Sequence, residues 1–213
     1  MPARANHPVP FPLRPPGAVA TVLRGLNHAF TRVYHRVDCL LPPQLPDTGP
    51  AILAPNHTSG LDPLIVQSRL RRHVRWMMAA EYLEVPVLGP LFRAARIIPV
   101  ARDGRDSTAI RTALRLLAAG EVLGVFPEGR IEPVDAFLPY QPGVAQLALR
   151  AGVSIHPVYL TGTQRGSSML RSLCRPQRAC VDFGAPLNPE GSVEHVLGEI
   201  ERSHRDLKTI VRH

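Results

Sequence analysis

His57 and Asp62, inside Asn56-His57-Thr58-Ser59-Gly60-Leu61-Asp62, set a titratable imidazole five residues ahead of a carboxylate. An unperturbed imidazole titrates near ~6.5, so it can take a proton at neutral pH. A neighbouring carboxylate fixes its tautomer and stabilises the imidazolium that results. That is the chemistry of a general base. Ser59 adds a hydroxyl that a nucleophilic mechanism could use, although its neighbours lack the nucleophile-elbow pattern and favour a turn role.

The spacing constrains how the pair can meet. Five residues along a regular helix turn roughly 140° at about 100° per residue, so one straight helix would hold the two side chains apart. Ala51-Ile52-Leu53-Ala54 reads as a short buried strand and Thr58-Ser59-Gly60 as a turn. Pro63 reads as the first residue of a helix, which makes Asp62 the expected N-cap. A carboxylate placed there has to serve both backbone N–H groups and the imidazole, with one oxygen for each.

Three further blocks carry polar groups at the ends of apolar runs. Gly124-Val125-Phe126-Pro127-Glu128-Gly129-Arg130 follows Val122-Leu123 as a strand running into a loop. Strand exits in α/β sheets are where ligand-binding groups collect. There Gly129 permits close backbone approach, the Arg130 guanidinium can grip an anion through two N–H groups, and Glu128 can orient it. Ile98-Pro99-Val100-Ala101-Arg102 is a second strand ending in arginine. Ile155-His156-Pro157-Val158-Tyr159-Leu160 is a third, whose Pro157 cannot donate to a ladder and so belongs at an edge, a strand start or a bulge.

In this order and at these separations the four blocks resemble the 1-acylglycerol-3-phosphate acyltransferases, the lysophospholipid acyltransferase family, over roughly residues 50–163. The resemblance implies an O-acyltransferase with His57 as base toward a glycerol hydroxyl and Asp62 as its orienter. It implies a phosphate and acceptor site from Arg102, Glu128, Gly129 and Arg130, with Asn56 and Pro157 in the matched blocks on the substrate-binding side. It also implies a glycerol phosphate or lysophospholipid acceptor, and acyl-CoA or acyl carrier protein as donor, with no other cofactor. The chain departs from the family pattern at Arg96, Ala101, Arg130, Gln141 and Ser154. Those departures bear on the acceptor headgroup and leave the reaction type standing.

The reaction can be written without the family. A base removes the proton of an alcohol as its oxygen attacks an acyl thioester, giving a tetrahedral oxyanion and then a thiolate leaving group. It needs a base, a group that binds the oxyanion and a positive surface for phosphorylated substrates, and no covalent acyl-enzyme. Two other readings stay open on the sequence: a hydrolase using Ser59 or water, and a non-catalytic lipid-binding protein.

Charge fits a phosphorylated partner. The formal charge of +8 comes almost wholly from arginine, because Lys208 is the single lysine among 25 basic residues, and arginine suits bidentate recognition of phosphate. The run Arg69, Arg71, Arg72, Arg75 and the group Arg93, Arg96, Arg102, Arg105 offer surfaces for anionic headgroups, coenzyme A or a carrier protein, or else a solvated basic face. Aromatic residues are only 5% of the chain and no nucleic-acid-binding pattern accompanies the charge, so nucleic acid is not an expected partner. Cys39, Cys174 and Cys180 are odd in number and unpaired in spacing, which suggests a reducing compartment. The nine histidines show no zinc-type spacing, so no metal is expected.

The elements that must position these groups are legible from periodicity. Strands are expected near 51–55, 74–79, 97–101, 122–126, 155–160 and 179–183, and helices at 63–71, 106–119, 142–151 and 192–210. The result is a single α/β domain, with a mainly parallel or mixed sheet flanked by helices, over residues 18–213. A Pro-rich tail, 1–17, precedes it, and the Pro-rich stretches 8–16 and 42–50 read as linkers. Neither a signal peptide nor an apolar run long enough to span a bilayer is present, so any membrane contact is expected to be peripheral, on the cytoplasmic side. Residues 18–37 form an amphipathic helix with Val19, Val22, Leu23, Leu26, Phe30, Val33 and Val37 on one face and Arg24, His28, Arg32 and Arg36 on the other. That pattern suits an anionic membrane interface as well as docking of the apolar face on the core.

Overall fold

In the computed structural model the described residues are 18–86, 88–101, 106–131, 138–163 and 169–210. The Pro-rich tail 1–17 and Arg102 lie outside them.

The strands are β1 (Ala51–Pro55), β2 (Val74–Ala79), β3 (Ile98–Val100), β4 (Val122–Gly124), β5 (Ile155–Thr161) and β6 (Cys180–Phe183). They form one sheet in the order β3-β2-β4-β1-β5-β6, parallel except for the antiparallel β5–β6 pair. The helices are α1 (Ala18–Val33), α2 (Asp62–Ser68), α3 (Leu88–Ala94), α4 (Ser107–Ala118), α5 (Gly143–Ala151), α6 (Met169–Leu173) and α7 (Val193–Ile210), with a 3-10 turn over Ala80–Glu84. The mixed α/β sheet and the long elements agree with the sequence reading. The 3-10 turn, α3 and α6 are additions, each too short to show a helical period.

Alternation along the central strands divides the core into two layers. Ala51, Leu53, Val122 and Trp76 face α2 and α3. Ile52, Ala54, Leu123 and Ile155 face α4, α5 and α7. Successive strand residues point to opposite faces, so one buried strand feeds both layers. Crossing from β1 to β2 leaves a gap that β4 fills, which brings the exits of β1 and β4 side by side. Ligands bind at such reversals of strand order.

Several expectations change on inspection. The 42–50 stretch is tied to the domain, with Leu45 packed against the core and the Pro46 carbonyl accepting from Arg72; just before it Asp38 and Leu41 bond to the backbone at β6, and the buried Asp182 accepts from the N–H groups of Leu40 and Leu41 at 2.8 Å each. This covers an otherwise open sheet edge. Pro157 sits inside β5 with its carbonyl accepting from Gly184, just past the last β5–β6 pair, Val158 with Phe183, so its missing N–H falls where the ladder is interrupted. The first arginine run is not an open basic face: Arg75 is 2% exposed and Arg72 donates to the carbonyls of Pro46 and Gly120.

Of the two orientations its pattern allowed, helix α1 takes the one that leaves the apolar stripe outward. Asn27 donates to the Leu64 carbonyl at 2.8 Å, His28 lies 3.0 Å from the Ser68 carbonyl and Arg24 bonds the Arg71 carbonyl. The Ser68 and Arg71 carbonyls lie at and beyond the C-terminus of α2, where carbonyls lack helical partners and carry the negative end of the dipole, so they draw His28 and Arg24. The opposite stripe, Val22, Leu26 and Val33, is 60%, 63% and 76% exposed. Leu23 and Phe30 at its flank are half-buried.

Candidate active site

Strand β1 ends at Pro55, and Asn56 extends its pairing with a side chain. The Asn56 amide donates to the Leu160 carbonyl at 3.2 Å and its oxygen accepts from the Leu160 N–H at 2.7 Å. Both ends are therefore used in bracing β1 against β5, and the residue is 6% exposed. Through these bonds Asn56 holds the turn that follows in place.

The turn that follows brings the imidazole and carboxylate together. His57 Nδ1 lies 3.0 Å from Asp62 Oδ2. The same oxygen accepts from the backbone N–H groups of Thr58 at 2.6 Å and Ser59 at 2.8 Å. Asp62 begins α2, with Leu61 at the cap and no side-chain cap bond, so its carboxylate faces back into the turn instead of capping the helix. The expected division of one oxygen per task does not hold, since Oδ2 does both. Asp62 Oδ1 is buried without a hydrogen-bond partner among the described residues.

This geometry fixes the tautomer. A carboxylate oxygen that accepts from two amides also accepts from the imidazole, so Nδ1 carries the hydrogen and Nε2 carries the lone pair. The His57 side chain is 15% exposed and Asp62 0%, so the imidazole reaches solvent and the carboxylate does not.

Ser59 is placed differently. It is fully buried and its hydroxyl lies 2.9 Å from that of Ser172 on α6. Thr58 bonds Thr163 just past β5. The two hydroxyls pin the segment after β5 onto the turn, and the Ser59 hydroxyl is spent in that packing.

The block from Gly124 to Arg130 arrives at the same sheet edge on β4. Leu53 pairs in register with Gly124, and His57 and Glu128 each lie four residues further on. Val125 N–H bonds the Leu53 carbonyl, and a turn closes with Gly129 N–H on the Phe126 carbonyl at 3.0 Å. Gly129 has φ +71, the left-handed region that favours glycine. Glu128 is buried at 5%, while Gly129 and Arg130 are exposed. Gln141, where the family pattern has a basic residue, lies against Gly129 and bonds the Pro127 carbonyl through its N–H.

Pro157 is not at this edge. It is buried in β5 opposite Ala54, three residues before His57, and its ring neighbours Gly184, which in turn lies against Ser203 and Leu207 of α7. His156 is buried beside it, and burial lowers its pKa.

Two groups were not legible as site residues. His57 stacks on Phe126, whose ring stacks on Trp76. Gly124, a glycine inside a strand, was the available signal, since such a glycine marks close approach of another group. On the other face, buried His204 of α7 lies 2.8 Å from the Ala54 carbonyl and bonds Tyr140 through Nδ1. Burial pushes its pKa down to about 4. A groove of about 400 Å³ between Leu41–Gln44, Phe183–Leu187 and α7 is lined by none of the site residues.

Known proteins are similar to this chain in fold and in sequence. The crystal structure of the 1-acyl-sn-glycerophosphate (LPA) acyltransferase PlsC from Thermotoga maritima superposes with a TM-score of 0.73 at 19% identity, covering 91% of this chain and 80% of that one. The 1-acyl-sn-glycerol-3-phosphate acyltransferase of Bacillus subtilis is 23% identical over 128 residues, which is 60% of this chain and 63% of that protein. Lysophosphatidylcholine acyltransferase 1 of Danio rerio is 29% identical over 136 residues, 62% of this chain and 25% of the fish protein. The chain thus spans under two thirds of either relative's length. The family model described as Acyltransferase matches residues 36–161, from the end of the α1 segment through β5 and all four blocks. More than half of the chain lies within that match, and the protein belongs to the Acyltransferase family.

Proposed function

We propose that the chain transfers a fatty acyl group from an acyl thioester, acyl-CoA or acyl carrier protein, to a hydroxyl of a glycerol phosphate or lysophospholipid. The observation that carries this reading is the His57–Asp62 contact at 3.0 Å, with Nε2 left to take a proton at the edge shared with Glu128, Gly129 and Arg130. The acceptor oxygen attacks the thioester carbonyl as its proton passes to Nε2. The tetrahedral intermediate collapses, the C–S bond breaks, and the thiolate recovers the proton from the imidazolium. Arg130, and Arg102 two residues past β3, supply guanidinium groups for the acceptor phosphate, and Glu128 orients the loop. The step as drawn uses no cofactor beyond the thioester.

Burial of Ser59 and its bond to Ser172 argue against a serine nucleophile. Among the described residues no helix is long and apolar enough to cross a membrane. The bared stripe Val22, Leu26 and Val33, flanked by exposed Arg32 and Arg36, suits an anionic lipid surface, where the acceptor would be met.

The test is thiol release from a long-chain acyl-CoA with and without 1-acylglycerol-3-phosphate. Release that depends on the acceptor supports acyl transfer. Release without it would favour hydrolysis, and vesicle binding with no turnover of acyl-CoA or acyl carrier protein on any acceptor would favour a binding protein.

A further inference from the structure

One face of the His57 imidazole lies on the Phe126 ring, with centroids 3.8 Å apart and planes 19° from parallel. Phe126 lies in turn on Trp76 at 5.2 Å and 18°. The three rings form a column, each from a different strand or strand exit: β2, β4 and β1. Its two aromatic members are 5% and 8% exposed. The column depends on a glycine. Gly124 pairs in register with Trp76, and a Cβ there would stand 2.3 Å from the indole, so the indole lies flat only over a residue without a side chain.

We infer that Phe126, braced by Trp76 over Gly124, is a positioning residue for His57. The bond from Nδ1 to Asp62 sets a distance but leaves the imidazole a broad torsional well about χ2. The stacked ring narrows that well and holds Nε2 on one bearing toward the acceptor hydroxyl. The contact gains a second component during the reaction. Once Nε2 has taken the proton the imidazole is a cation over a π face, and that attraction is absent in the resting, neutral ring. An interaction present only in the charged state lowers the barrier without tightening substrate binding.

The inference rests on His57 being the base, and the experiment separates the two. Phe126→Met keeps apolar volume and removes the ring, whereas Phe126→Tyr keeps the ring. With the full chain, long-chain acyl-CoA and 1-acylglycerol-3-phosphate, Phe126→Met is expected to lower kcat roughly tenfold to thirtyfold with KM for both substrates within about twofold. Phe126→Tyr is expected to stay within about threefold of wild type. In proton NMR of the wild type, the His57 ring protons, assigned by their loss in His57→Gln, should lie upfield of those of exposed His195 because they sit in the Phe126 ring current. They should move downfield in Phe126→Met. Unchanged kcat in Phe126→Met, a loss confined to KM, or the absence of the upfield shift in the wild type would overturn the positioning role. The NMR measurement on the wild type decides even if Phe126→Met does not fold. Turnover retained in His57→Ala would remove the base assignment and this inference with it. An inactive His57→Ala beside a fully active Phe126→Met would remove the positioning role alone.

Discussion

At the residue scale the site is organised by one oxygen. Asp62 Oδ2 accepts from two backbone N–H groups and from His57, so the carboxylate shapes the turn as well as the bearing of the imidazole. Asp62→Asn leaves a side chain of the same shape but removes the charge that stabilises the imidazolium. It is expected to lower kcat roughly 10²-fold. Asp62→Ala also strands two buried donors, costing about 1–3 kcal/mol each, so denaturant unfolding should rank Ala below Asn. Ser59→Ala gives the converse result. It removes a buried hydrogen bond, with a stability loss of about 1 kcal/mol, while turnover stays near wild type. Loss of turnover in a folded Ser59→Ala would restore the serine-nucleophile reading. Sequence spacing brought His57 and Asp62 together correctly because a turn was demanded between strand and helix. It did not show which way the carboxylate faces, because the Thr58 and Ser59 N–H groups compete with those of α2 and spacing is blind to that competition. Asn56 was similarly ambiguous, since an amide after a strand can meet a ligand or a neighbouring strand, and here it meets Leu160.

At the element scale, strand exits do the positioning. The long elements were legible because their hydrophobic periods are unmistakable, as in α4 with buried Ala109, Ala113, Leu116 and Leu117. The orientation of α1 was not. Its apolar period is real, but the partners that seat it are Leu64, Ser68 and Arg71 carbonyls, which no side-chain pattern displays. This leaves a testable surface. Leu26→Glu adds a charge to a side chain that is 63% exposed, so the thermal midpoint should hold within what about 0.5 kcal/mol allows. Sedimentation with phosphatidylglycerol vesicles should fall several-fold relative to wild type. Equal vesicle binding by Leu26→Glu would exclude this stripe as the lipid contact. Gly124→Ala probes the sheet directly. A Cβ 2.3 Å from the Trp76 ring forces the indole or the strand to move, at a cost of about 1–3 kcal/mol, readable in denaturant unfolding and in the tryptophan fluorescence of the only tryptophan.

At the scale of the whole molecule, the two core layers meet the site from opposite faces of β1. On the far face His204 of α7 holds the Ala54 carbonyl, and its depressed pKa makes stability depend on pH. Above pH ~6.5 the side chain is neutral in both folded and unfolded chains. Between ~6.5 and about 4 the unfolded chain binds a proton that the fold excludes, so stability is lost as pH falls through that window. The loss approaches ~3 kcal/mol by the lower end. Burial lowers His35, His73 and His156 as well, which adds in the same direction. Denaturant midpoints at pH 7 and pH 5 should differ accordingly, and a His204→Gln variant should show a flatter dependence. The strand order that sets β1 beside β4 has no local signal, but the α/β class followed from the alternation of strands and helices and the family from the four blocks. The α7 anchor did not, because a histidine 147 residues beyond His57 has no local signal of its partner.

The central claim is that His57 takes the acceptor's proton. Acceptor-dependent thiol release from a long-chain acyl-CoA, compared between wild type and His57→Gln at matched thermal midpoints, tests it most directly. Gln keeps a donor and an acceptor in the turn but cannot bind a proton at neutral pH, so kcat is expected to fall roughly 10²- to 10⁴-fold. A His57→Gln chain that folds and still transfers acyl groups to the acceptor at the wild-type rate would contradict the claim.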